Sequence, residues 1–278
     1  MLDLINYLSQ TFVLRAIIAS ILTSILSSLM GSFMIYRGLS FMASGVAHAA
    51  LGGVAFSLLL STFLLSSIDP IFGAIFFGII MAFIVGYMGK GGEIEKMETG
   101  IGVSFAMAMS LAVLFMTVIP PIYLPKIWGY LMGDIFLLTD RDLIRLFSVT
   151  VITSLITAVF YKEFIYVSFD MEGAMVHGMN VKFYHYLMLI LMALAIIFEV
   201  RAVGAILVYV IMIVPAATAS MLLKDMRKSM ILIFLISFVS QFIGIILAYF
   251  FPASPSALAG LLTSTIFGFA LIYRSKKK

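Results

Sequence analysis

The chain has 278 residues, of which 63% are hydrophobic and only 11% charged. A soluble domain carries roughly twice that charged fraction, which excludes a water-soluble enzyme. The formal charge of +4 reflects basic loops and the Arg274–Lys278 tail rather than a nucleic-acid surface. With no cysteine there are no disulfides and no thiolate metal ligands.

In chain order, Met1–Gln10 lacks the basic region and small-residue cleavage site of a signal peptide, so a retained first span is expected from Thr11 onward. Apolar runs of about 18 to 24 residues are long enough to cross a ~30 Å hydrocarbon core. They predict spans near 14–36, 42–65, 71–88, 100–119, 142–161, 183–199, 203–223, 229–251 and 257–273. Breaks carry turn chemistry at Asp69-Pro70, Gly89–Gly92, Pro120-Pro121 and Pro252–Pro255. The expected fold is all-α, a polytopic membrane protein of eight or nine transmembrane helices in one domain over 1–278. The strict alternation of a transmembrane barrel is missing.

Two segments are neither spans nor simple turns. Residues 126–139 hold the only Trp and two glycines, too short and interrupted to cross, and predict an interfacial or re-entrant helix on the outer side. Near 170–180, Ser168 or Asp170 is placed to cap a short helix, with Glu172 at its positive end and Gly178 at its close. That segment reads as a docking element or as an ordinary connection between helices. Orientation follows from the basic residues: with the N-terminus outside and the C-terminus inside, 12 of the 17 lie on the inner side and 5 on the outer.

The chemistry of an enzyme is missing. Gly89-Lys90-Gly91 has no Ser or Thr after the lysine, so it is not a phosphate loop. Ser44 and His48, one helical turn apart, lack the geometry of a nucleophile and base with an oxyanion hole. His177 and His185 read as solvated or interfacial, and the 20 methionines as packing. Glu199 and Arg201 read as marking the outer ends of spans, and Gln241 as an interhelical hydrogen bonder. Pro215 predicts a kink beside small residues. His48 stands out, because an imidazole in an apolar run faces a partner, a cavity or an ion.

Four places together resemble one family. The first is Gly31-Ser-Phe through Arg37, then Ser40, Ala47-His48-Ala49 and Gly53-Val-Ala55. The second is Glu98-Thr99 with Ile101-Gly102. The third is Gly133-Asp134 and Asp142-Leu143, followed by Phe169-Asp170, Glu172, Ala174 and Gly178. The fourth is Val203-Gly204-Ala205, followed by Ile213-Val-Pro215-Ala-Ala-Thr218-Ala219. In this order, over nearly the full length, they resemble the permease subunits of ABC importers for zinc, manganese and iron(II).

The resemblance implies a multi-pass protein of a prokaryotic plasma membrane that translocates a divalent metal ion as substrate and binds no cofactor itself. It implies two permease chains as a homodimer with the path between them. An extracytoplasmic metal-binding protein would deliver the ion, and a separate ATP-binding cassette ATPase would hydrolyse ATP. Asp170, Glu172, Ala174 and Gly178 would belong to the helix that couples to the ATPase, while Gly204 and Pro215 would serve kinking and packing. His48 would be the metal ligand of the path, with Ser44 beside it. Here the chain departs from the family, which carries an Asp four residues before this His, on the same helix face. Ser44 leaves the site one negative charge short. The competing readings are a permease for a metal chelate such as a siderophore or cobalamin, and an ion-coupled carrier. The carrier would need mid-span carboxylates, and the sequence offers only Glu199.

Overall fold

The structure is a computed structural model describing residues 6–64, 68–90 and 92–276. The described residues form helices joined by short turns, with no strand among them. In chain order the helices are α1 Thr11–Tyr36, α2 Met42–Leu64, α3 Pro70–Met88, α4 Ile94–Val118, α5 Leu124–Met132, α6 Asp140–Val159, α7 Tyr161–Phe169, α8 Met171–Val176, α9 Val181–Val203, α10 Val208–Leu222, α11 Met226–Phe250 and α12 Pro255–Ser275. Eight of them, with 19 to 26 residues each, are apolar and long enough to cross a membrane. At ~1.5 Å per residue these reach about 28 to 39 Å, against a hydrocarbon core of ~30 Å.

The span predicted near 203–223 is the exception. It is the 15-residue α10, about 22 Å long and short of a full crossing. Its start is set by Gly204, which ends α9 at φ +95°. Gly204 lies back to back with Gly133, itself at φ +62°, so closely that a β-carbon on either would overlap the other's backbone. The end of α5 then pairs with the entrance to α10, since Ala205 N donates to Tyr130 O at 3.1 Å and Ile206 N to Leu131 O at 3.3 Å. Two glycines in left-handed conformations thus let α5 cover the α9–α10 turn.

The other element ends follow local signals. Asp69 caps α3, accepting from Ile71 N with Pro70 at the first position. Thr139 and Asp142 form a reciprocal capping box at α6. Asn180 and Asp225 cap α9 and α11. The amides of Lys228 and Arg227 hold the exposed Asp225 carboxyl below the usual carboxylate range. The long helices alternate in direction, so the bundle has an α5 end, where α1, α3, α6 and α12 begin, and an α8 end, where α2, α4, α9 and α11 begin.

Packing inside the bundle uses small residues and hydroxyls, as expected where lipid is as apolar as a side chain. Gly53 of α2 and Gly73 of α3 touch backbone to backbone, leaving no room for a β-carbon. Helix α1 carries a stripe of hydroxyls, and Gln241 of α11 is bonded within it. Thr23 Oγ1 donates to Gln241 Oε1 at 3.0 Å, and Gln241 Nε2 donates to Ser24 Oγ at 3.1 Å and Ser237 Oγ at 3.2 Å. Ser28 Oγ reaches Met230 O at 2.7 Å. A single π turn, Ser27–Gly31, interrupts α1 beside these contacts.

Candidate functional site

Helix α2 presents Ser44 and His48 on one half-buried face, while Val46, Ala47 and Ala50 between and beyond them are fully packed. His48 Nδ1 lies 2.8 Å from Ser44 O. A carbonyl only accepts, so Nδ1 carries the proton and the Nε2 lone pair is left for another partner. The ring packs edge-on against Phe105 of α4, centroids 5.1 Å apart, and Phe41 closes the same side at 6.4 Å from Phe105. Aromatic packing and the backbone bond therefore fix the imidazole with one nitrogen free. No cluster of three His, Cys, Asp or Glu exists among the described residues, so any cation here meets one imidazole and a serine from this chain.

At the α8 end, Asp170 caps α8 by accepting from Gly173 N at 2.8 Å. Ser168, the alternative cap, instead donates to Phe164 O at 2.6 Å. The helix closes with paired bonds, Met179 N to Ala174 O at 3.1 Å and Gly178 N to Met175 O at 3.0 Å, around Gly178 at φ +76°. Ala174 is fully buried against Val167 and Val181, which anchors the element. Glu172, Met175 and His177 point outward, and Val176 is 85% exposed. The result is a six-residue helix capped at both ends, with an apolar and acidic outer surface.

At the α5 end, ion pairs tie the start of α6 to three neighbours. Arg15 of α1 grips Asp140 with two contacts of 2.7 and 2.8 Å. Arg145 pairs with Asp69, the cap of α3, and Arg201 of α9 reaches Asp142 at 3.5 Å. Above them α5 and the following turn leave Trp128, Met132 and Leu137 more than half exposed.

Two residues differ from the sequence expectation. Glu199 is not at a wetted helix end but fully buried, its Oε1 accepting from Ser27 Oγ at 3.4 Å and its Oε2 without a partner. Glu199 ends up enclosed because α9 continues past it to Val203 and Ser27 of α1 meets it there. His185 is likewise buried, at 4% exposure, rather than solvated, because Arg37 reaches it from the end of α1 at 2.8 Å. No sequence signal joins those two, 148 positions apart. Arg201 does lie at the end of a span, and its partner in α6 adds a contact the sequence did not give. Pro215 sits buried inside α10 and leaves the Ile211 carbonyl without its helical donor. A carboxyl buried with one unpaired oxygen contributes little net stability. Glu199→Gln is therefore expected to leave the thermal midpoint unchanged or raise it, as read by tryptophan-fluorescence melting in detergent. A marked fall would show that the acid itself is needed.

An all-α bundle of eight membrane-length helices, with a lone ordered imidazole on its flank and a doubly capped short helix at one end, defines a polytopic transport-type membrane protein. A family model described as the ABC 3 transport family matches residues 9–274. The chain belongs to that family. It is 31% identical over 277 residues to the manganese transport system membrane protein MntC of Listeria monocytogenes, covering 100% of this chain and 96% of the relative. It is 30% identical over 256 residues to the manganese import system permease protein ScaB of Streptococcus gordonii, covering 92% and 89%. Among solved structures, PsaBC from Streptococcus pneumoniae in complex with Fab matches with a TM-score of 0.81 at 30% identity, covering 96% of this chain and 94% of that one. The structure called "An inward-facing conformation of a putative metal-chelate type ABC transporter" shares the fold, with a TM-score of 0.69 at 16% identity, covering 94% of this chain and 85% of that one.

Proposed function

We propose that this chain is the membrane permease of an ABC importer for a divalent transition metal, with manganese first among zinc, manganese and iron(II). The observation that carries the reading is its full-length similarity, at 30–31% identity, to permeases named for manganese transport. The site is consistent with it. His48 offers one borderline nitrogen on the flank of the bundle, where a second copy of the chain would bring its own His48 to a shared path. Ser44, replacing an acid, weakens the hold on a dication, and a path must release its ion as well as bind it.

The remaining assignments belong to the same proposal. The α5 end faces outward, with Trp128 and Leu137 offering an apolar rim to an extracytoplasmic metal-binding protein. The α8 end faces the cytosol in keeping with the excess of basic residues there. Asp170, Glu172, Ala174 and Gly178 build the coupling helix against a separate ATPase chain, which hydrolyses the ATP. Gly204 and Pro215 shape the α9–α10 region beside the path.

The test is uptake of Mn²⁺, Zn²⁺ and Fe²⁺ into proteoliposomes holding the chain with an ATP-binding cassette ATPase from the same organism. ATP-dependent uptake of a free ion supports the reading. Uptake that persists without ATP and collapses with the ion gradient would replace it with a carrier. Transport of a chelate but of no free ion would favour the siderophore or cobalamin reading.

A further inference from the structure

A cavity of about 490 Å³ opens at the α8 end between α8, the start of α9 and the turn after α3. Its polar lining is basic or neutral: Lys90, Lys182, Asn180 and His185, with no carboxylate. Its walls are otherwise apolar and include Met171, Met175 and Met179. Such a lining repels a dication, so the cavity is no part of a metal path. It suits an anion attached to something apolar.

His185 forms the inner wall of the cavity. Arg37 donates to His185 Nδ1 at 2.8 Å, and a guanidinium never accepts. The proton of His185 is therefore on Nε2, which is enclosed beside the Gly86 carbonyl. His185 is 4% exposed. Its ring is held in place from behind by the Arg37 guanidinium. At the mouth, Lys90 is held 3.8 Å from the centre of the Tyr87 ring, and neither Lys90 nor Lys182 is ion-paired among the described residues.

The cavity also continues onto the membrane-spanning surface. Asn180, Lys182 and Tyr186 are shared with a shallow groove of about 450 Å³, which runs along α9 past Phe83, Phe183, Leu187 and Ile190. A free phosphate has no use for that groove, but an acyl chain does. Basic pockets between helices at a membrane boundary recognise lipid phosphates in this way.

We propose that this cavity and groove form a binding site for one anionic phospholipid of the leaflet at the α8 end. The phosphate lies between Lys90 and Lys182 beside the Asn180 amide, and an acyl chain lies in the groove along α9. The site does not depend on which metal is carried or on ATP, so its test is separate from that of the transport reading.

The full chain, purified in detergent, is incubated with phosphatidylglycerol, phosphatidylcholine or inorganic phosphate, and bound species are counted by native mass spectrometry. One retained phosphatidylglycerol per chain, in preference to phosphatidylcholine, is expected. The double variant Lys90→Ala/Lys182→Ala is expected to weaken that retention about 30-fold, each ammonium contributing about fivefold. Leu187→Trp, which fills the groove and leaves every cation in place, is expected to weaken it too. Equal retention of the two lipids, or no effect of the lysine pair, would overturn the proposal. Inorganic phosphate competing equally well at the same concentration would overturn the lipid assignment in favour of a free-phosphate site.

Discussion

Replacing His48 by alanine is expected to cut metal uptake on the order of 10- to 100-fold, the loss typical when a group supporting a metal site is removed. The amount of folded chain in the membrane should not change. His48 is half-buried, its Nδ1 bond is to the carbonyl of its own helix, and it stacks edge-on with Phe105, so no contact between distant polar groups is lost. Alanine also has the higher helix propensity. The converse variant, Ser44→Asp, sets a carboxylate one turn from the imidazole on the same face. It is expected to tighten Mn²⁺ binding about tenfold through the added charge, and to slow turnover if release becomes limiting. The measurement pairs initial uptake rates with membrane abundance for both variants. Unchanged uptake in His48→Ala would remove His48 from the path. Unchanged affinity in Ser44→Asp would show that the two positions do not share an ion.

How far these residues could be placed from the sequence depended on the range of the force involved. Span positions were legible because hydropathy integrates over some twenty neighbours, and element ends were legible because capping is local. Asp69-Pro70, Asp170 and Gly178 each act within three residues, whereas the box of Thr139 with Asp142 emerged only in the structure. Periodicity, by contrast, does not say which face of one helix meets which face of another when every face is apolar. Glu199 and His185 therefore read as wetted, although Ser27 of α1 meets the one and Arg37 reaches the other from the end of that helix. The short α10 has the same origin. Its length is set by the contact between Gly133 and Gly204, 71 positions apart, and no local signal shows that they touch. At the candidate site, the type and spacing of Ser44 and His48 were legible. The protonation pattern that frees Nε2 needed the geometry of the Ser44 carbonyl.

Melting α8 without disturbing the bundle is expected to abolish coupling while leaving a stable protein. Six residues cannot hold a helix on their own, so α8 depends on the caps at its two ends and on Ala174. Asp170→Ala removes the acceptor for Gly173 N, typically worth about 1 kcal/mol. Gly178→Val puts a β-branched residue at φ +76°, at a further cost of about 1–2 kcal/mol. Both positions lie on the solvent side, and a β-carbon at Gly178 meets nothing within 4 Å, so backbone conformation and capping are altered without a steric clash. In the double variant, hydrogen exchange of residues 169–180 should rise to near the free-chain rate, with the thermal midpoint of the bundle unchanged. Under the coupling proposal, metal uptake and ATPase stimulation then fall together by more than about tenfold, since a surface that must fold on docking loses affinity by the cost of folding it. A variant with α8 demonstrably melted and coupling intact would move the ATPase contact elsewhere on this end of the bundle. The nearest candidate is the neighbouring surface of Tyr161, Lys162, Tyr166, Asp225 and Arg227, which lines an open depression beside α7.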